Sequence, residues 1–276
     1  MTQPTILITG CSSGIGLDAA HTLNKRGWRV FATCRSQQDC DKLINDGLES
    51  FVLDYASTDS IKAAVAQTLE LTDGKLDALF NNGAFAIPGR VEDLPRDAMR
   101  SIFETNVFGQ FELINCVLPQ MRKNNRGRII NNSSVLGFAA LPYRGAYVAT
   151  KFAMEGLTDA LRLEMHDTNI HISLIEPGPI GTKIRENSIP HFEHWINWKE
   201  SAEKALYESQ LVPRLYEPDA KKDRFELPCA AVTDRLIHAL EHKHPKPRYY
   251  VTTPTYFAGT LKRVLSTRLL DKVLLK

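Results

Sequence analysis

The 276-residue chain predicts an α/β fold, one domain built on a parallel sheet with helices on both faces. Two observations predict it. Short apolar runs alternate with helix-length segments between Thr5 and Ile175. A glycine-rich turn, Gly10-Cys11-Ser12-Ser13-Gly14-Ile15-Gly16, joins the first run directly to the first helical segment. Right-handed crossovers between parallel strands then carry the helices to both sides of the sheet.

Thr5–Thr9 reads as a short buried strand, and Leu17–Arg26 as a helix that Gly27 ends. Arg29–Cys34 is the second strand and Leu48–Leu53 the third, followed by Asp54. A helix covers about Thr58–Thr72, where Thr58 or Asp59 can satisfy free amides at its start. Leu76–Phe80 is the fourth strand and runs into Asn81-Asn82-Gly83-Ala84. Two long helical stretches bracket Pro119, which has no amide to donate. Gly127–Asn131 is the fifth strand, Tyr147–His166 a helix, and Ile170–Ile175 the sixth strand.

After Gly178 the pattern changes. Pro190 is followed by His191-Phe192, Trp195-Ile196 and Trp198, then by a helix ending near Val212-Pro213. Polar Asp219–Arg224 separates this from a helix over about Cys229–His242. His244-Pro245-Lys246-Pro247 is a firm break, and the last stretch can form an amphipathic helix. Residues 183–276 therefore read as additions around the sheet of a single 1–276 domain.

Composition narrows the function. Apolar residues at 43% and charged residues at 24% are ordinary for a soluble globular chain. A net charge of +2, from 34 basic and 32 acidic residues, gives no reason to expect a nucleic-acid partner. Cys11, Cys34, Cys40, Cys116 and Cys229 match neither a disulfide framework nor a thiolate metal site, which fits a reducing compartment. His191 and His194, like His238, His242 and His244, lack zinc-type spacing, so no metal is expected. No leader pattern and no bilayer-length apolar run is visible, and a cytoplasmic protein is the expectation. Leu261–Leu275 mixes apolar residues with Lys262, Arg263, Arg268 and Lys272. That fits peripheral lipid contact, or packing onto the fold or an oligomer interface.

The chemistry-bearing residues fall into two groups. Gly10, Gly14 and Gly16 permit close backbone approach to a pyrophosphate at a helix N-terminus. At the second strand's end, where a carboxylate commonly holds a ribose hydroxyl, the chain has Cys34-Arg35-Ser36. Arg35 and the Ser13 hydroxyl suit an additional phosphate, which favours NADP(H). Asp54 can receive an adenine amino group or make a local turn. Tyr147 and Lys151, four residues apart, share one helix face, where the ammonium is expected to lower the phenol's pKa. Ser134 can polarise a carbonyl that Tyr147 protonates, and Lys151 can also hold nicotinamide ribose hydroxyls. Phe192, Trp195 and Trp198, with Tyr143, either line an apolar pocket or pack the added segment.

Residues 5 to 182 resemble the short-chain dehydrogenase/reductase family, and Phe152–Leu157, Ile175–Ile180 and Pro247-Arg248-Tyr249 resemble its 17β-hydroxysteroid and retinol dehydrogenase branch. The resemblance implies a Rossmann-type fold with a C-terminal extension on the substrate side. It implies a catalytic tetrad of Asn106, Ser134, Tyr147 and Lys151, with Asn106 holding a water that connects Lys151 to solvent. Gly10, Ser12, Ser13, Gly14, Ile15 and Gly16 would form the cofactor turn. Asn81 would stabilise the central sheet beside the adenine ribose, and Pro177, Gly178, Ile180 and Thr182 would contact the nicotinamide. The family usually reads Asn-Asn-Ala-Gly where this chain has Asn81-Asn82-Gly83-Ala84, so a small local backbone shift is expected. The implied activity is NADP(H)-dependent hydride transfer to or from a hydrophobic ketone, aldehyde or alcohol, by a homodimer or homotetramer. An epimerase or dehydratase, or a non-catalytic dinucleotide-binding regulator, is the alternative.

Overall fold

In the computed structural model, which describes residues 3–217, 223 and 225–275, the alternating runs become a seven-stranded sheet. The strands are β1 (Thr5–Thr9), β2 (Arg29–Cys34), β3 (Glu49–Val52), β4 (Ala78–Asn81), β5 (Gly127–Asn132), β6 (Ile170–Glu176) and β7 (Arg248–Tyr250). Every pairing is parallel, in the order β3-β2-β1-β4-β5-β6-β7. The order reverses between β1 and β4, which opens a crevice beyond the strands' C-terminal ends.

Alternating side chains build the two layers. Ile6 and Ile8 pack with Leu23 of α1 (Gly14–Lys25) and with Val232 and Leu236 of the helix Ala230–Glu241. Leu7 faces the opposite side, against Ile61 of α3 (Thr58–Leu71) and Leu113 and Val117 of the helix Gln110–Lys123. Each such fully buried aliphatic side chain contributes roughly 1.5–3 kcal/mol of transfer free energy.

Several elements differ from the sequence expectation. Helix α1 begins at Gly14 rather than Leu17, because the glycine turn is already its first turn. Helix α2 (Gln37–Asn45) was not anticipated; only Cys40 and Leu43 of it are buried, too few for a clear period. Ser57, not Thr58 or Asp59, caps α3 by accepting from the Ser60 amide. Pro119 does not separate two helices. It lies inside α5 (Gln110–Lys123), whose buried face overrides the lost hydrogen bond. The interruption comes earlier, where a π-helical turn, Glu104–Gly109, joins α4 (Arg96–Phe103) to α5. Helix α6 (Gly145–Glu164) starts two residues before Tyr147 and places that residue in its first turn.

Strand β7 follows Pro247 directly. Its Arg248 bonds Glu176 of β6 and Asp159 of α6, each at 2.6 Å, and also pairs with Glu155. Three residues show no period, so this strand was not legible. The C-terminal region adds α7 (Ile184–Trp195), α8 (Lys204–Leu206), a π-helical turn Tyr207–Leu211, α9 (Val212–Tyr216), α10 (Ala230–Glu241), α11 (Thr253–Val264) and α12 (Thr267–Leu274). The proposed polar separator Asp219–Arg224 lies outside the described residues apart from Asp223. The expected single terminal helix is two, and α12 buries no residue. Among the described residues no helix is long and apolar enough to cross a membrane.

A third apolar cluster sits over the crevice end. Phe192, Ile196, Tyr207, Leu211 and Leu215 pack there against Ala86, Ile102 and Tyr147. Tyr207 organises it, with ring centroids of Tyr143, Phe192 and Trp198 at 5.8, 6.2 and 6.2 Å. Of the aromatic set, Phe192, Trp195 and Trp198 pack the added segment, while Tyr143 also lines an apolar cavity of about 720 Å³.

Candidate active site

The C-terminal ends of β1, β4 and β5 are laced together by side-chain hydrogen bonds. Thr9 Oγ1 accepts from the amides of Asn82 (2.9 Å) and Gly83 (3.1 Å) and lies 2.7 Å from the Tyr55 hydroxyl. Tyr55 donates to Asn81 Oδ1 (2.7 Å), and Asn81 Nδ2 donates to Asn131 Oδ1 (3.0 Å). Asn131 Nδ2 continues to Thr158 of α6 (2.9 Å). In parallel, Asn132 Nδ2 donates to Asn82 Oδ1 (2.9 Å), and Asn82 Nδ2 donates to the carbonyls of Thr9 and Gly10. The reversed Gly83-Ala84 places the glycine against Tyr55 and the glycine turn. A Cβ added at Gly83 would stand 3.1 Å from the Tyr55 ring and 3.5 Å from the Gly10 nitrogen.

This edge frames a cavity of about 1690 Å³. Gly10, Ser12, Ser13, Gly14 and Ile15 line it together with Ser134, Tyr147, Lys151, Pro177, Gly178, Ile180 and Thr182, and Thr182 lies against Gly14. Gly10 and Gly14 have φ of +68° and +61°, conformations that favour glycine. A Cβ at Gly16 would overlap the Gly10 carbonyl, so that residue is excluded from carrying a side chain by packing. Helix α1 has no acidic residue in its first turn, and Ser13 makes no side-chain cap. Its positive end is therefore free to meet an anion, and the residues fit a dinucleotide pyrophosphate.

Ser134 caps a short turn by accepting from the Leu136 amide (3.1 Å). Lys151 is fully buried and donates to the Asn132 carbonyl at 2.7 Å. Its nitrogen lies 5.5 Å from the centre of the Tyr147 ring. The expected lowering of the phenol does not occur in this arrangement. Burial pushes the Tyr147 pKa up, opposed only by its hydrogen bond with Ser134. The ammonium is directed at a carbonyl, and desolvation dominates at the phenol.

Four further residues lie outside the cavity lining. Asn106 is buried beside the cavity, where its amide pairs with the Phe85 backbone (3.1 and 2.8 Å) and Thr150 Oγ1 (3.3 Å). Asn81 lies wholly under the crevice floor, committed to Tyr55 and Asn131. Asp54 makes a turn, accepting from the Ala56 amide at 3.0 Å, and does not line the cavity. Arg35 is exposed just past the end of β2 and also lies outside the cavity lining. Residues the sequence reading missed are Tyr55, Asn131, Asn132 and Arg248. The doublet Asn131-Asn132, ending a strand as Asn81-Asn82 does, was the available signal. Among the described residues no cluster of histidine, cysteine and carboxylate side chains is placed to hold a metal ion.

A model of the short chain dehydrogenase family matches residues 4–192. The chain belongs to that family. It is 38% identical over 272 residues to the uncharacterized oxidoreductase YbbO of Escherichia coli K12, covering 99% of this chain and 94% of that one. Identity to the rat 17-beta-hydroxysteroid dehydrogenase type 6 is 35% over 257 residues, covering 88% and 79% of the two chains. An actinorhodin polyketide ketoreductase variant solved with NADPH superposes with a TM-score of 0.71 at 27% identity, over 91% of this chain and 97% of that chain. The chain is thus an oxidoreductase of a family that binds nicotinamide dinucleotides. Solved structures of this fold carry NAD in some cases and NADPH in others, so the choice rests on this chain's own residues.

Burial holds the Lys151 pKa down to about 8, with the Glu155 carboxylate opposing the shift. An unfolded-chain lysine titrates near about 10.4. Between those values the unfolded state binds more protons than the folded state, so stability rises with pH across that window. Lys151→Met removes this titration. In urea unfolding, the wild-type stability minus that of the variant is expected to increase from about pH 8 to about pH 10. A difference that stays level or falls contradicts the buried, depressed lysine.

Proposed function

We propose that this chain is an NADP(H)-dependent oxidoreductase that transfers a hydride between the nicotinamide and a hydrophobic ketone or aldehyde, or its alcohol. The observation that carries the reading is that Ser134, Tyr147 and Lys151 line the same cavity as the glycine turn. The bound nicotinamide supplies the carbon that gives or takes the hydride. Tyr147, held protonated by burial, is suited to donate its phenolic proton to a carbonyl oxygen that Ser134 orients. Lys151, anchored on the Asn132 carbonyl, keeps a positive charge beside the phenol as it becomes a phenolate. Leu136, Ile180, Ile184, Ile189 and Leu215 give the same cavity an apolar lining that suits a hydrophobic substrate.

Arg35 supports the preference for NADP(H). Among the described residues its guanidinium forms no ion pair or side-chain hydrogen bond, which leaves it available to a phosphate. Asp39, the first carboxylate after β2, is already engaged by Ser36 (2.8 Å) and Lys42 (2.9 Å). It is thereby withdrawn from service as a ribose-hydroxyl acceptor.

Two measurements test the proposal. NADPH oxidation across a panel of carbonyl compounds is expected to fall about a hundredfold or more in Tyr147→Phe; equal turnover by both proteins overturns the acid role. Replacing Arg35 with Ala is expected to raise the NADPH Kd about tenfold while leaving the NADH Kd within about twofold. An unchanged ratio of the two constants removes Arg35 from cofactor selection.

A further inference from the structure

The substrate end of the cavity holds a cation that the reaction does not use. Arg144 is the N-cap of α6, three residues before Tyr147, and lines the cavity with Ser134, Leu136 and Tyr147. That spacing places the two side chains on neighbouring positions, one helical turn apart. Among the described residues the Arg144 guanidinium has neither an ion-pair nor a hydrogen-bond partner. It is partly buried, and its nearest charged neighbours include two further arginines, Arg214 and Arg185.

Asp223 is the counter-charge of this group, 3.4 Å from Arg214 and 3.9 Å from Arg185. Glu186, Glu217 and Glu226 also line the cavity, yet none forms an ion pair with the arginines among the described residues. Burial and repulsion from Arg214 and Arg185 lower the Arg144 pKa to about 10, which still leaves it ionised at neutrality. The start of α6 adds its own partial positive charge, with no acidic residue in the first turn. A desolvated cation with no ion-pair partner among the described residues costs stability, and the attraction to Asp223 does not fully offset that cost. An anion entering the cavity would.

We propose that the substrate is amphipathic, an apolar carbonyl compound carrying an anionic group, carboxylate or phosphate, which Arg144 binds with Arg185 and Arg214 beside it. This deepens the oxidoreductase reading and rests on it for the carbonyl. Ile184, Ile189 and Leu215, which line the same cavity, receive the apolar portion. Asp223 then acts as a resident counter-ion that the incoming group displaces.

The test uses the full chain and a binding readout. Calorimetric titrations compare decanoate with its methyl ester, which keeps the skeleton and removes the charge, with and without NADPH. Decanoate is expected to bind about tenfold or more tightly than the ester, the scale of one charge-assisted hydrogen bond. Arg144→Met is expected to abolish that preference and Arg144→Lys to keep part of it. Equal affinity for acid and ester in the wild type overturns the proposal without any variant, as does a preference that survives in Arg144→Met. If Arg144→Met instead raises the NADPH Kd tenfold and spares the acid–ester ratio, the arginine serves a cofactor phosphate and the substrate assignment is wrong. Oxidation of NADPH by a medium-chain ω-oxo carboxylate separates the two levels. A selective acid site with no turnover of that compound supports the anion site while counting against the redox reading.

Discussion

The crevice depends on the hydrogen bonds that run along the C-terminal edge of the sheet, from Thr9 through Tyr55, Asn81 and Asn131 to Thr158. Backbone pairing holds the strands together, but beyond their ends each chain turns into a loop and that pairing stops. Asn81, Asn131 and Thr158 are buried, so each polar atom left without a partner would cost about 1–3 kcal/mol. With their partners in place they couple the glycine turn after β1 to the helix that carries Tyr147 and Lys151. The second branch, Asn132 to Asn82 to the Gly10 carbonyl, starts at the residue whose own carbonyl receives Lys151. Cofactor turn and acid–base helix are therefore parts of one hydrogen-bonded frame.

Within that frame, burial and charge are set against each other. Desolvation raises the Tyr147 phenol and depresses Lys151, and both effects oppose ionisation. A similar balance appears at Arg248, which lies between Glu155, Glu176 and Asp159. Glu176 is fully buried, and burial together with repulsion from Glu155 raises its pKa to about 8. Arg248 holds that carboxyl group next to Pro177-Gly178, so the short β7 strand secures a loop that lines the cavity. The chain invests in polar contacts at the strand ends and in apolar contacts elsewhere, as expected of an open parallel sheet.

The parts of the molecule that were legible are those with a strong local signal. Ile6-Leu7-Ile8 followed by the glycine turn, and the Tyr147–Lys151 spacing, each carry their meaning within a few residues. Strand β7 and helix α2 did not, because three residues after a proline and nine mostly polar residues show no period. Pro119 misled because a buried helical face outweighs one missing amide bond. Asn81 and Asn106 are both buried outside the cavity lining, because whether an amide points at a ligand or at Phe85 and Asn131 depends on tertiary contacts. Arg144 belongs to no local motif; its charge, without an ion-pair partner among the described residues, stands out only where α6, α7 and α9 meet.

The claim that turn and helix form one frame can be tested at the Tyr55 hydroxyl, the link between Thr9 and Asn81. Amide hydrogen exchange in Tyr55→Phe, compared with the wild type, reports how far the loss of that one oxygen is felt. The account predicts faster exchange both in residues 9–16 and 81–83 and, across the sheet, at Asn131, Asn132 and the first turns of α6. Faster exchange confined to the immediate neighbours of residue 55, with α6 unaffected, would contradict it.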